Sequence, residues 1–385
     1  MGLRTRSLTV TGILLTALVF AAGCGSSNNS SSSSSTAKST TTASSTNSGK
    51  AAAQAAVATF SKTTGVTFPQ PTEAFSPGTG KVAVISCGNA GINCLQGSQD
   101  VQKAAKAMGW TPSPIFDGQF TPAKQAGFVQ QAVQQGYDAI VLVSIDANSI
   151  KAAVDAAAAK KIPIACVMCV NPAFKGKVTD VSTGGIAEGQ ALGSWIGANA
   201  KPGDTVLAFD DKSFPIVAVR RQNAEQAVKK YCPSCKIKEA DFPTTDLSKP
   251  GAPTFSAALN ANPAGTLQFV MAPYDPAAIP FAKVAQQQGR TDFKMTGYDA
   301  SPDYVNLIKT GSGGAAATTA APFPYCSWGA MDEVARIKAG KTPWTANRLP
   351  VALVTKANTS EFTGAFFSPA DFDFKSMFKK LWGKA

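Results

Sequence analysis

The sequence predicts an α/β protein built as two lobes, each around a parallel sheet. Three observations predict it. Short Val- and Ile-rich runs recur from Lys81 onward, each separated from the next by one helical pattern. That alternation implies parallel strands with right-handed crossovers. The chain from residue 50 to residue 385 is long for one core and comfortable for two. Its second half also repeats, roughly, the strand–helix order of the first.

In the first half, KVAVISC (81–87) reads as a buried strand, followed by a polar loop and a helix over 95–108 closed by Gly109. Thr111 to Phe116 is a weaker strand, and Lys124 to Gln135 a helix closed by Gly136. AIVLVS (139–144) is another buried strand. Asn148 or Ser149 caps the next helix, which runs to Lys161, and IPIACVM (162–168) is the fourth strand. In the second half, Val178 to Val181 is extended and Gly185 to Ala198 helical. TVLAFD (205–210), Lys236 to Ala240, Leu267 to Ala272 and Phe293 to Thr296 are strands. Helices fall at Ile216 to Lys230, Ala277 to Gln288, Asp303 to Lys309 and Trp328 to Lys338. Pro280 is expected to kink or restart its helix. In the tail, which also carries Phe366, the residues Phe374, Phe378 and Trp382 recur every four positions and predict a helix packed on the second lobe.

The start of the chain carries a different message. Arg4 and Arg6 precede an apolar run, Leu8 to Ala22, that is too short for a ~30 Å hydrocarbon core. A charged start, a short apolar middle and small residues at the end read as an export signal over 1–23. Ala21-Ala22-Gly23-Cys24 resembles the lipobox of bacterial lipoproteins, which implies cleavage before Cys24 and acylation of its thiol. Ordinary secretion, with Cys24 lost or idle, is the alternative. Residues 24–50, almost all Ser, Thr, Asn and Ala, have too little apolar surface to offset their ordering entropy. They read as a disordered tether with a reach of roughly 25–30 Å.

Composition narrows the function. The formal charge is +12, with the basic residues scattered as pairs such as Lys160-Lys161 and Lys379-Lys380. No basic stripe interleaved with aromatics appears, so nucleic acid is not an expected partner. The chain has no histidine, which removes the usual general base, the Ser-His-Asp triad and nearly every catalytic zinc site. The expectation is a protein that is not an enzyme and carries no cofactor. Beyond Cys24 lie Cys87, Cys94, Cys166, Cys169, Cys232, Cys235 and Cys326, an odd number that leaves at least one thiol outside an internal pair. Cys232-Pro233-Ser234-Cys235 has redox spacing, but it follows a helix and precedes a strand, which favours a structural staple. Cys87 with Cys94, or Cys94 with Cys169, could brace loops; alternatively Cys87, Cys94, Cys166, Cys169 and Cys326, with Met168, suggest a soft site for Cu(I).

In open parallel sheets, ligands sit beyond the carboxyl ends of the strands. Those ends read Cys87-Gly88-Asn89, Ser144-Ile145-Asp146, Met168-Cys169-Val170-Asn171, Asp210-Asp211, Pro273-Tyr274-Asp275 and Gly297-Tyr298-Asp299. They are rich in groups that hydrogen-bond neutral polar ligands, and none carries a nucleotide fingerprint.

Three stretches carry a resemblance: KVAVIS with its helix ending KAMGW; GYDAIVLVSIDANSIKAAVDAAAAKKIPIACV; and FVMAPYDPAAIPFAKVAQQQG followed by FKMTGYDASPDYVNLIKTG. Over roughly residues 80–355 the order of pieces resembles the type I periplasmic binding proteins, the ribose/galactose branch that serves ABC importers. The resemblance implies two Rossmann-like lobes joined by a three-strand hinge, with a ligand cleft between them. It places the crossings near Thr183, Pro322 and Leu349, with a first lobe of 80–183 plus 322–349 and a second of 184–321 plus 350–385. It implies ligand contacts from Asn89, Arg220, Tyr274 and Asp299, to which the strand-end reading adds Asp146, Asn171 and Asp210. Asp275 fits better as a helix cap before Pro276.

Two departures stand out. Ribose-like members have adjacent phenylalanines where Gly91-Ile92-Asn93 stand here, and Asp-Arg where Met168-Cys169 stand. A less polar or smaller ligand suits the changed first lobe. The expected partners are a small-molecule ligand and an ABC permease, with the chain monomeric, exported and held to the membrane's outer face by its lipid. A receptor of the same fold serving a membrane signalling protein is the alternative. An extracytoplasmic thiol oxidoreductase using Cys232 and Cys235 is a third reading.

Overall fold

The computed structural model describes residues 41–344, 346, 348–362, 367–368 and 370–384. The expected signal peptide, Cys24, most of the tether and Phe366 lie outside them. The chain enters on α1 (Thr41–Phe60), so the tether expected to stay disordered to residue 50 is already helical over its last ten residues. The Ala-rich run AAAQAAVA that follows has high helix propensity, and helix propagates readily once nucleated. Val57 and Phe60 give the helix apolar anchors against the second lobe.

The first lobe runs β1 (Lys81–Ser86), α2 (Ile92–Met108), β2 (Thr111–Asp117), α3 (Pro122–Gln134), β3 (Ala139–Val143), α4 (Lys151–Ala159), β4 (Ile164–Val167) and β5 (Val178–Val181). Its sheet has the order β2-β1-β3-β4-β5, parallel throughout. Every residue of β3 is buried, as its unbroken apolar run requires when helices cover both faces. The strand order reverses between β1 and β3, which opens a crevice at their carboxyl ends.

The second lobe runs α5 (Ile186–Asn199), β6 (Thr205–Asp210), α6 (Pro215–Tyr231), β7 (Lys236–Asp241), α7 (Pro253–Ala261), β8 (Phe269–Met271), α8 (Asp275–Gln287), β9 (Lys294–Thr296), α9 (Pro302–Thr310) and β10 (Ala315–Ala320). The chain then returns to the first lobe as α10 (Phe323–Lys338) and crosses back to β11 (Ala352–Thr355). The second sheet reads β11-β10-β9-β8-β6-β7, parallel except for the antiparallel β10–β11 pair. Here the order reverses between β6 and β8. α8 runs through Pro280 without a break.

Three segments therefore cross between the lobes: β5 to α5, β10 to α10, and α10 to β11. The first and third are bonded to each other. Ser182 N–H donates to the Ala346 carbonyl at 2.8 Å, and Leu349 N–H to the Ser182 carbonyl at 3.2 Å.

The last helix, α11 (Phe374–Leu381), departs from expectation. It packs on α10 of the first lobe rather than on the second lobe. Trp382 stacks on Trp328 with centroids 5.5 Å apart, and Phe374 and Phe378 meet Tyr325 edge-on and tilted. The four-residue spacing defines an aromatic stripe but not its partner. The matching patch, Tyr325 and Trp328, lies about 50 residues earlier on α10.

Within the second lobe, α5 and α6 are in near backbone contact. A Cβ on Gly193 would lie 2.3 Å from the Ala224 carbonyl oxygen, and one on Gly189 2.2 Å from that of Arg220. Glycine at these two positions sets the depth of α6, and with it the position of Arg220.

Candidate functional site

The carboxyl ends of the two sheets face each other, and a cavity of about 70 Å³ lies between them. The first lobe lines it with Gly91, Asn93 and Cys94 at the start of α2, Phe120, Ser144, Met168 and Phe323. The second contributes Phe214, Ile216, Val217 and Arg220 from the start of α6, and Leu247, Tyr274, Pro276 and Asp299. Both topological reversals thus open onto one space, as the switch-point rule requires.

The backbone around the cavity is unusual. Phe120 (φ 51°), Ser144 (φ 53°), Met168 (φ 53°) and Asp299 (φ 98°) all adopt left-handed conformations, and all four line the cavity. Among the described residues only four other non-glycine residues do so. Each such residue costs on the order of 1–3 kcal/mol and persists where the surroundings impose it, commonly at ligand sites.

The polar part of the site is one bonded cluster. Arg220 donates through Nη2 to Glu188 Oε1 at 2.6 Å and to Asp299 Oδ1 at 2.7 Å. Asn93 of the first lobe donates through Nδ2 to Asp299 Oδ2 at 2.6 Å, so Asp299 joins the lobes. Thr183, in the first crossing, donates to the other Glu188 oxygen. The Arg220 guanidinium lies 5.0 Å from the centre of the Tyr298 ring. Burial disfavours the Arg220 charge, but the Asp299 and Glu188 carboxylates outweigh it and push its pKa up. Burial also raises the Asp299 pKa, with Arg220 opposing and Glu188 reinforcing the shift. Two carboxylates share one guanidinium, so the cluster repels an incoming anion.

Asp275 does not cap α8. Its Oδ2 accepts from Ser301 N–H at 2.7 Å and its Oδ1 from Thr318 at 2.8 Å, and these bonds tie the loop that carries Asp299 to β10. A Cβ on Gly297 would fall 2.1 Å from Asp275 Oδ1, so only glycine fits there. Burial, then the charge of Asp299, raises the Asp275 pKa well above the usual range.

Of the residues expected to touch a ligand, Arg220, Tyr274 and Asp299 come together on this cavity. Tyr274 presents its ring; its hydroxyl donates to Asp211 at 2.8 Å. Asp146 and Asn171 line an adjoining recess with Ser144 and Met168. Asn171 is occupied locally, accepting from Ala147 N–H at 2.9 Å and donating to Asp180. Asn89 and Asp210 do not line the cavity. Asn89 N–H is held by Asp117 at 2.8 Å, and Asp210 faces Arg221 at 3.6 Å. The neighbouring Arg221 does not line the cavity and pairs with Glu225 and Glu239. The expected reading missed Asn93, Ser144, Phe120 and Phe214 as wall residues. The signal for the first two was positional: Asn93 lies at a helix start and Ser144 at a strand tip, beside a sheet reversal.

The cysteines pair locally. Cys87 is bonded to Cys94, Cys166 to Cys169 and Cys232 to Cys235, with Cys326 free and buried. The first pair fixes the start of α2 to the tip of β1. The Cys326 thiol lies 3.7 Å from Met168 Sδ. A soft-metal site needs thiolates, and the pairing leaves Cys326 alone among these cysteines with a thiol. Cys232 sits at the C-terminal end of α6, where the helix dipole opposes a thiolate.

The profile of the family described as "Periplasmic binding protein domain" matches residues 94–342. The chain belongs to the type I periplasmic binding proteins. Among its relatives is the ribose import binding protein of Salmonella typhimurium, 26% identical over 213 residues, or 54% of this chain and 69% of that one. The ribose import binding protein of Escherichia coli K12 matches over the same shares. Solved structures share the fold. A sugar ABC transporter protein of Yersinia enterocolitica superposes with a TM-score of 0.68 at 22% identity, covering 82% of this chain and 99% of that one. An ABC transporter solute-binding protein of Agrobacterium vitis with bound allitol gives 0.65 at 21%, covering 75% and 99%. The Caulobacter myo-inositol binding protein gives 0.65 at 18%, covering 76% and 98%. This family is one of binding proteins, and no helix among the described residues of this binding protein is long and apolar enough to cross a membrane.

Proposed function

We propose that this chain is an exported solute-binding lipoprotein, anchored through Cys24, that delivers a small organic molecule to an ABC importer. The observation that carries the reading is the cavity closed by both lobes, with Arg220, Tyr274 and Asp299 on one side facing Asn93 and Ser144 on the other. A solute that touches both walls favours the closed lobes over the open ones, and the difference is what a permease can sense. The relatives' names, ribose import and sugar transport, point the same way. Arg220, Tyr274 and Asp299 are the ligand contacts of this reading. Asp146 and Asn171 shape the adjoining recess; Asn89 and Asp210 are not among the contacts.

Calorimetric titration against sugars, polyols, nucleosides, alcohols and aromatic acids tests the transport reading. At least one class should bind in the micromolar range or tighter, as expected of a receptor that collects scarce solute. If nothing in the panel binds tighter than about millimolar, corresponding to roughly −4 kcal/mol, solute delivery is overturned. Anchoring is tested separately by the mass of the mature N-terminus, which should carry a lipid on Cys24 and lose it in Cys24→Ser.

A further inference from the structure

The cavity's walls and its polar cluster have different characters, and the contrast bears on what fits. Most of the wall is apolar. Phe120, Met168 and Phe323 face Phe214, Ile216 and Leu247, and the Cys87–Cys94 bond lies behind the wall at Cys94. The polar side chains Asn93, Asp299 and Arg220 are bonded to one another and so form a single patch. Tyr274 adds no free hydroxyl, because Asp211 already accepts from it. Ser144 is the one other hydroxyl on the wall.

Two atoms in the patch are unmatched. Asn93 Oδ1, an acceptor, and Arg220 Nε, a donor, are buried with no partner among the described residues. The residues that carry them are only 7% and 3% exposed, and both line the cavity. An unmade bond at a buried polar atom costs on the order of 1–3 kcal/mol. One orphan acceptor and one orphan donor, on two residues bonded to the same Asp299 carboxylate, are together the complement of a hydroxyl, which donates and accepts at once. An ammonium offers nothing to Arg220 Nε. A carboxylate meets Asp299 and Glu188.

We propose that the cleft takes a small uncharged solute with an apolar body and one hydroxyl, an alcohol or phenol of about one ring, rather than a polyol. The inference rests on the solute-binding reading above and names the class of guest. The hydroxyl donates to Asn93 Oδ1 and accepts from Arg220 Nε, while the body lies between the phenylalanines of the two lobes. A polyol would bury further hydroxyls against apolar walls, with Ser144 able to match one of them. As closed here the cavity is about 70 Å³, less than half the ~150 Å³ of an apolar cavity that accepts benzene. A single ring therefore enters as the lobes part slightly, and a ring bearing six hydroxyls needs considerably more.

The test is calorimetric titration of the purified full-length chain with cyclohexanol, phenol and benzyl alcohol, beside ribose, myo-inositol, benzoate and cyclohexylamine. The one-hydroxyl rings should bind about tenfold or more tightly than either polyol, and benzyl alcohol about tenfold tighter than benzoate. Asn93→Ala should weaken the best alcohol about five- to tenfold, and Asn93→Asp more. Circular dichroism confirms that both variants are folded. If ribose, myo-inositol, benzoate or cyclohexylamine binds tighter than every alcohol, the class is wrong and the solute-binding reading stands. If the best alcohol binds Asn93→Ala unchanged, the placement of its hydroxyl is wrong and the inference falls with it. Silence from every compound here and in the wider panel overturns both.

Discussion

Glu333 gives the sharpest test of the hinge region. It is fully buried on α10. Its Oε1 accepts the backbone N–H of Trp344 at 3.0 Å, in the third crossing segment, and its Oε2 has no partner. Asp332 lies beside it on the same helix and is engaged by Arg336 and by Trp382 Nε1. Burial, then the neighbouring Asp332, pushes the Glu333 pKa from 4.5 up to about 8, against weaker opposition from the Trp344 N–H and Arg336. The folded pKa exceeds the unfolded one. The native state therefore holds the extra proton, and its contribution is fully present below about pH 4.5 and lost as pH rises through about 8. At about 1.36 kcal/mol per unit, the interval from 4.5 to about 8 is worth up to roughly 5 kcal/mol, of which about 3 is gone by pH 7. Glu333→Gln stays neutral throughout. Its amide leaves one unmatched group, a pH-independent cost of about 1–3 kcal/mol, so the slope of the difference matters and not its offset. Urea unfolding of both proteins from pH 4.5 to 9 measures it. The variant should gain on the parent by several kcal/mol across that range, while the titration of Asp332 cancels to first order. A difference constant within about 1 kcal/mol between pH 5 and 8 would refute the assignment of a buried proton to Glu333.

Two further outcomes follow from packing and from the cysteines. Gly193→Ala drives a methyl to 2.3 Å from the Ala224 carbonyl and 2.7 Å from Ala227 Cβ. It should cost about 1–3 kcal/mol in urea unfolding, and an unchanged midpoint would mean that α5 and α6 do not pack this closely. Cys232→Ser with Cys235→Ser removes a closed loop of four residues. The chain-entropy relation gives a loss of about 2 kcal/mol for that loop. The parent should not reduce insulin, and reductase activity that disappears in the double variant would restore the thiol-oxidoreductase reading.

What the sequence made legible divides along physical lines. β3 (Ala139–Val143) and β1 (Lys81–Ser86) stand out because a strand buried on both faces must be continuously apolar. β10 (AAATTA) is just as buried and was not anticipated. Alanine and threonine fill a sheet covered on both sides without leaving a hydrophobic signature. α7 (PTFSAALNA) is short and anchored by Phe255 and Leu259, too few for a period to register. At the cavity, which all three line, Arg220, Tyr274 and Asp299 were expected from the family resemblance. Asn93 was not, because its defining partner, Asp299, is 206 residues away. The placement of α11 failed for the same reason: an apolar stripe is a local property, and the surface it meets is not.

The arrangement also explains how binding and closure become one event. The first-lobe wall is held by the Cys87–Cys94 bond and by left-handed backbone at Ser144 and Met168, and the second-lobe wall by Asp275 beneath Asp299. Between these walls Asn93 reaches across to Asp299, leaving its own Oδ1 unmatched. Asn93 thus has one polar atom spent on closing the lobes and a second available to a guest. A hydroxyl at Asn93 Oδ1 and Arg220 Nε adds to the interlobe bond without displacing it. Parting the lobes would separate Asn93 from Arg220, so a guest would then meet one of those bonds at a time. The second bond is the differential affinity that shifts the population toward closure. At about 1 kcal/mol per net hydrogen bond, together with apolar burial of the ring against both lobes, that difference favours closure when the guest binds.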